Sequence, residues 1–289
     1  MSPVKVNVHE LIAWGLDDYT YRDSATHLSR EEVAAKIERA QQLLAERGRT
    51  VDCPALLTDE TERVRHLLSS QAKCNDLRGE YESLDWALGV VDLHRLLAFQ
   101  RRLVFDPLHC YSPVPQQGDW TALISLAMGS RRSTEHHVVS QQNISGGFEM
   151  ELFSGNPDLQ VRVRPPSTDD SQSLLLFGGS PYFEVAEFRG RWFLRDGYHR
   201  AYRLLQAGVH HVPAVVIYAR TIEEVGATEP WFFNEDQLFS DHPPRVIDFS
   251  DERMVLRYER PALRKVIRIR VEESLEPIDE TKEAQGETI

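Results

Sequence analysis

The chain has 289 residues, 41% of them hydrophobic and 27% charged, with a formal charge of −12. That balance belongs to an ordinary folded protein and excludes low-complexity and collagen-like classes. No apolar run approaches the roughly 20 residues of a membrane span, and an acidic chain offers DNA no basic face overall.

Three cysteines, Cys53, Cys74 and Cys110, lie far apart with no C-x-x-C spacing, so neither a disulfide framework nor a zinc ribbon is expected. The N-terminal MSPVKVNVHE lacks the pattern of a signal peptide, and a cytoplasmic, reduced setting is the expectation. Residues 272–289 hold seven acids against one lysine, so half of the net charge sits in that stretch, which is expected to be disordered. Local basic strips remain at Arg101-Arg102, Arg131-Arg132 and 260–270.

In chain order, Ser29-Arg30-Glu31-Glu32 has the S-x-x-E capping box, with Val33, Ile37, Ala40 and Leu44 behind it at helical spacing. The pattern predicts a helix over about 30–47, closed by Gly48. A second helix is expected after Thr58, with Val64, Leu67 and Leu68 on one side. The stretch 84–99 (LDWALGVVDLHRLLAF) is apolar on more than one face and reads as a third, buried helix. With a strand at 101–106, the first hundred residues read as mainly helical. The proline-rich YSPVPQQ at 111–117 marks a boundary.

A short helix is expected over 121–128 with Asp119 near its cap, then strands at 148–153 and 159–164 about a Gly-Asn-Pro turn, and a polar loop at 165–171. EVAEF (184–188) and RWFLR (191–195) are separated by Arg189-Gly190, a hairpin spacing. A short helix follows, with Ala201, Leu204 and Leu205 apolar and Gly208 as its stop, then a buried strand over 212–218. The stretch 221–230 reads as helix or loop. Strands are expected at 246–249, 254–258 and 265–271, the last alternating cleanly.

The polar residues of this central unit concentrate in Asp196-Gly197-Tyr198-His199-Arg200, where a strand becomes a helix. The first N–H groups of a helix have no internal partner and carry about half a positive charge. A glycine there admits a ligand to the backbone, while His199 and Arg200 add donors. The combination suits a phosphate. The opposing reading has Asp196 capping the helix, Gly197 making the turn, and His199 and Arg200 pairing with nearby carboxylates.

GGSPYFEV (178–185), the hairpin and DGYHRAYRLLQAGVHHVPAVVI together resemble the core of the ParB/sulfiredoxin-like superfamily. The resemblance spans about residues 175–218 and is specific at the D-G-x-H-R turn. It implies a small α/β domain whose turn and helix N-terminus contact nucleotide phosphates, with Gly179 and Ser180 lying against the nucleotide. Members include nucleotide-dependent DNA partition clamps, sulfinic-acid reductases, a free-serine kinase and DGQHR-type proteins of DNA-modification systems. The reductases carry a catalytic cysteine just before the His-Arg pair. This chain has Tyr198 there, which argues against that chemistry.

The expectations are therefore these. The fold is α+β with an α/β core: a helical region over 1–110, a ParB/sulfiredoxin-like domain with C-terminal strands over 111–271, and an acidic tail over 272–289. Nucleotide-binding residues are Gly179, Ser180, Gly197, Tyr198, His199 and Arg200. Asp196 and His199 are the catalytic candidates for ATP- or CTP-dependent phosphoryl transfer or nucleotide hydrolysis, with Mg²⁺ on Asp196. The N-terminal helices would take a protein partner. The alternative is a non-enzymatic, nucleic-acid-associated or scaffold protein of a DNA-modification, defence or partition-like system.

Other features read more blandly. Glu184 and Glu187 lie three apart on one strand and face opposite sides, so one of them at most holds a metal or pairs with Arg200. Neither His136-His137 nor His210-His211 has a completing ligand at a known metal spacing. Trp231-Phe232-Phe233 is a base-stacking platform or a core patch.

Overall fold

The computed structural model describes residues 4–50, 52–57, 61–106, 113–129, 137–155, 159–164 and 173–275. In chain order its first elements are β1 (Lys5–Leu11), α1 (Thr20–Ala25), α2 (Arg30–Glu46), α3 (Glu62–Gln71) and α4 (Asn75–Glu80). Then come β2 (Trp86–Asp92), β3 (Leu97–Ala98), β4 (Arg102–Phe105) and α5 (Trp120–Ala127). The middle contributes β5 (His137–Ile144), β6 (Gly147–Ser154), β7 (Gln160–Arg164) and β8 (Ser173–Phe177). The remainder is β9 (Glu184–Phe188), β10 (Arg191–Asp196), α6 (Tyr198–Gln206), β11 (His211–Tyr218), α7 (Ile222–Val225), α8 (Glu235–Leu238), β12 (Val255–Pro261) and β13 (Lys265–Glu272). Helices and mixed sheets together make the fold α+β.

Two compact units result. The first comprises Met1–Arg131 and Ser180–Ala262, the second Arg132–Gly179 and Leu263–Ile289. The first unit carries a three-stranded sheet, β12-β1-β4, and a five-stranded sheet, β2-β11-β9-β10-β3. The second carries the sheet β13-β6-β5 and the hairpin β7-β8. The expected loop at 165–171 lies outside the described residues, as does the acidic tail beyond 275.

The centre of the first unit follows its local signals. β9 and β10 pair antiparallel through Arg189 (φ 52°) and Gly190 (φ 78°), the two positive-φ residues that a tight hairpin turn requires. The Gly190 N–H donates to Glu187 Oε1 at 2.7 Å. α6 then crosses over, so that β11 lies beside β9 in parallel. Phe183, Val185, Phe193, Leu204, Val215 and Ile217 are all fully buried in one core, each contributing about 1.5–3 kcal/mol of burial.

α2 starts as its sequence predicts. Ser29 accepts from the Glu32 N–H at 3.2 Å, while the Glu32 side chain accepts from the Ser29 N–H at 2.7 Å. At α5, Asp119 accepts from the Ala122 N–H at 3.2 Å. The expected third helix is not one. Residues 84–99 form β2, a 3₁₀ turn at Leu93–Arg95, and β3. β2 pairs along its whole length with β11, from Trp86 opposite Ile217 to Asp92 opposite His211. A run apolar on more than one face suits a strand covered on both faces as well as a buried helix, and the β-branched Val90 and Val91 tip it to strand. The N-terminal region is therefore mixed, contributing β1 to β4 as well as helices.

Two further corrections concern strands. Residues 246–250 form a 3₁₀ turn, because the Asp248 carboxylate accepts from the Arg245 N–H at 2.9 Å and closes a capping box. β1, which the sequence reading passed over, alternates visibly as Val6, Val8 and the buried Glu10 against exposed Lys5 and Asn7.

Arg101 and Arg102 are not a surface strip. Arg101 is buried, as are Glu10 and Arg22, and Arg102 is largely covered. Glu10 accepts from Arg22 at 3.1 Å, from Arg102 at 3.0 Å and from the Tyr258 hydroxyl at 3.1 Å. Asp17 closes the group by pairing with both Arg22 and Arg102.

Candidate functional site

β10 ends in a bulge between Leu194 and Asp196, and the chain turns into α6 at Gly197, whose φ of 99° and ψ of 20° suit glycine. A Cβ at this position would lie 2.7 Å from the Phe183 ring. The glycine thus lets a core phenylalanine sit against the start of the helix. No side chain caps α6, so Asp196 is not the cap.

The three residues that follow each reach back to distant backbone. Tyr198 is buried, and its hydroxyl accepts from the N–H groups of Phe99 at 3.0 Å and Gln100 at 3.3 Å. Burial pushes this phenol well above its ordinary pKa. Its hydroxyl satisfies the backbone just after β3. The Nε2 of His199 lies 2.8 Å from the Val104 carbonyl in β4. A carbonyl only accepts, so that nitrogen carries the proton. Its ring meets Phe105 edge-on at 5.3 Å.

Arg200 works as a clamp. Nη1 donates to the Pro181 carbonyl at 2.7 Å and the Leu126 carbonyl at 3.3 Å; Nη2 donates to the Tyr182 carbonyl at 2.7 Å and approaches Asp196 Oδ1 at 3.5 Å. The Ser180-Pro181-Tyr182 stretch is thereby fastened to the DGYHR turn.

Ser180 opens that turn. Its Oγ accepts from the Tyr182 N–H at 3.2 Å and lies 3.2 Å from the Tyr81 hydroxyl. Tyr81 donates to Glu184, and Glu184 also pairs with Arg195. Glu184 is only 2% exposed and takes Arg195, not the expected Arg200, as its partner. Burial and the Glu184 carboxylate push the Tyr81 phenol far up. Gly179 has φ 86° and belongs to the second unit. Among the predicted residues the fold thus joins Ser180, Asp196, Gly197, Tyr198, His199 and Arg200 within the first unit.

Sequence reasoning missed Tyr81 and Arg195. Arg195 had a signal, since it abuts the DGYHR turn on a strand already assigned; Tyr81 lies far away in the chain and had none. Among the described residues, no three His, Cys, Asp or Glu side chains converge on a metal position. His94 stacks on His210 at 4.3 Å and approaches Asp92 at 3.3 Å, so Asp92 and His94 meet through the 3₁₀ turn that replaces the expected helix. The aromatic run divides: Phe233 is buried beneath the Arg101 guanidinium, while Trp231 is exposed.

Phe105 also packs against His9, at 4.7 Å, and Tyr202 of α6 lies edge-on to the same imidazole at 5.7 Å. Burial, with Arg257 adding to it, lowers the pKa of His9 to about 4. The ordinary value is 6.5, so the unfolded chain takes up this proton first as pH falls. The neutral ring therefore stabilises the fold fully above pH 6.5, and the contribution is lost between 6.5 and 4. The ring is half-buried and partly screened, so about 1–2 kcal/mol is expected. The difference in thermal midpoint between wild type and His9→Phe should stay constant from pH 8 to 7. It should then shift in favour of the variant between pH 6.5 and 5. A pH-independent difference would mean that His9 titrates normally.

No protein-family profile, no curated protein and no solved structure matches this chain.

Proposed function

We propose that the chain is a nucleotide- or phosphate-ligand-binding protein of the ParB/sulfiredoxin-like type, with its ligand at the edge of the first unit where Ser180-Pro181-Tyr182 meets the DGYHR turn. One observation carries this reading. Arg200 draws together the two stretches that the family resemblance assigns to the nucleotide, across 18 residues of chain. Ser180 contributes a hydroxyl at that edge, Asp196 a carboxylate that is 37% exposed, and the first turn of α6 its N–H groups. Phosphoryl transfer or nucleotide hydrolysis would place Mg²⁺ at Asp196. His199 is a positioning residue in this reading, because its Nε2 proton is engaged by Val104.

A second reading has a specific observation behind it. The side chains of Tyr198, His199 and Arg200 all bond to the chain's own backbone. A fold that commits them so fully suits a non-enzymatic module that binds nucleic acid or protein through another surface.

A thermal-shift series with ATP, CTP, GTP, ADP and pyrophosphate, each with and without Mg²⁺, separates the two. A ligand at 100 times its dissociation constant adds about 2.7 kcal/mol, roughly 5–10 °C for a unit of this size. The expected result is a shift with at least one nucleotide that Ser180→Ala and Asp196→Asn reduce. No shift with any of them overturns the nucleotide reading, and salt-dependent retention on DNA then tests the module.

A further inference from the structure

Ser180 opens the stretch that Arg200 fastens to the DGYHR turn, and it is half-buried. The direction of its hydroxyl follows from the groups behind it. Glu184 is 2% exposed and pairs with Arg195, so it is an ionised carboxylate and accepts only. Tyr81, also buried, gives its single proton to Glu184. Burial and the adjacent carboxylate keep that phenol protonated. The Tyr81 oxygen therefore has no proton left for Ser180, and across their 3.2 Å contact it is Ser180 that donates. One lone pair of Ser180 Oγ is filled by the Tyr182 N–H at 3.2 Å. Among the described residues nothing fills the other.

This wiring decides what Ser180 offers a ligand. A phosphate oxygen is an acceptor and finds no proton there. A cation finds a lone pair, on an oxygen made electron-rich by the bonds that run from Ser180 through Tyr81 to Glu184. Groups behind a metal ligand orient and tune it in this way. Tyr81 ends α4, so the helical region supplies the residue on which the arrangement turns. Asp196, opposite Glu184 in the ladder of β9 and β10, brings a partly exposed carboxylate to the same part of the unit. Arg200 Nη2 stands 3.5 Å from one oxygen of that carboxylate, too far for a strong hydrogen bond. Mg²⁺ is held by one or two carboxylates, waters and the phosphates of its nucleotide, and one class of nucleotide enzymes adds a serine or threonine hydroxyl to an aspartate.

We infer that Ser180 Oγ is a ligand for the Mg²⁺ carried by the nucleotide, and that Tyr81 is the residue that positions it. This rests on the nucleotide reading above and assigns Ser180 to the metal instead of to a phosphate oxygen.

The test is calorimetric titration of the full chain with ATP, CTP and pyrophosphate, each in Mg²⁺, in Cd²⁺ and in EDTA. Mg²⁺ should tighten binding to the wild type. Ser180→Ala and Tyr81→Phe should lose about 10–100-fold of affinity in Mg²⁺ and keep the wild-type affinity in EDTA. Ser180→Cys exchanges a single atom and should bind weakly in Mg²⁺ but regain affinity in Cd²⁺, because thiolates select soft ions. The wild type, which has its own exposed Cys53 and Cys74, should show no such gain. Thermal midpoints without ligand check that each variant is folded. The inference is overturned if Ser180→Ala leaves the Mg²⁺ effect intact, or if Cd²⁺ fails to rescue Ser180→Cys. Equal losses in Mg²⁺ and EDTA also overturn it, since Ser180 would then touch the nucleotide itself. In all three cases the nucleotide reading stands; no binding of any probe under any condition defeats that reading and the inference with it.

Discussion

Glu10→Gln should lower the stability of the first unit by about 3 kcal/mol. Glu10 is 1% exposed and is shared by Arg22, Arg102 and the Tyr258 hydroxyl. Glutamine keeps the shape and removes the charge, leaving two largely buried guanidinium groups with Asp17 as the remaining shared acid. Removing one partner of a buried pair typically costs about 3–5 kcal/mol, since the orphaned charge keeps its desolvation penalty. Asp17 moderates this, so the lower figure is expected. Urea unfolding should show a lower midpoint at unchanged slope. Adding Arg22→Met to the variant should recover part of the loss, because the second change removes one stranded charge. A midpoint equal to wild type would show that Asp17 alone balances both arginines.

Gly197→Ala is expected to be comparably damaging, for a different reason. At φ 99° an L-residue is strained by roughly 1–2 kcal/mol, and the new methyl would lie 2.7 Å from the fully buried Phe183 ring. Overpacking of that kind adds about 1–3 kcal/mol, for a total near 3–4 kcal/mol. Combining it with Phe183→Leu should return only the overlap part, since the backbone strain stays. Full recovery in the double variant, read by chemical unfolding, would locate the whole cost in the ring contact. The comparison also bears on function, because it tests whether Gly197 is required by the core before any ligand is considered.

What was legible in the sequence was what short-range chemistry decides. The Arg189-Gly190 hairpin, the Ser29 and Asp119 caps, and the Gly197 and Gly208 limits of α6 all depend on residues within a few positions. β2 was misread because only its place between β11 and the surrounding core reveals why it is apolar on both faces. At the turn, the residue types were visible but not their partners. Tyr198 finds Phe99, His199 finds Val104 and Arg200 finds Leu126, all far away in the chain. A D-G-x-H-R pattern reads the same whether its donors face a phosphate or a carbonyl. The Tyr81–Glu184–Arg195 group was illegible for the same reason, as one member lies near residue 80 and the other two beyond residue 180.

The register of β1 also bears on how the protein comes to be made. β1 has β4 on one side and β12 on the other, with Lys5 opposite Pro261. A ribosome releases β1 and β4 early, but the second edge of β1 stays unsatisfied until Val255–Pro261 has emerged. β6 waits in the same way, pairing with β5 at once and with β13 only much later. Neither sheet can close until these late strands have emerged, and contacts this distant in sequence make the closing slow. Until then the nascent protein displays two open strand edges, the kind of surface that chaperones cover and that other chains can pair with.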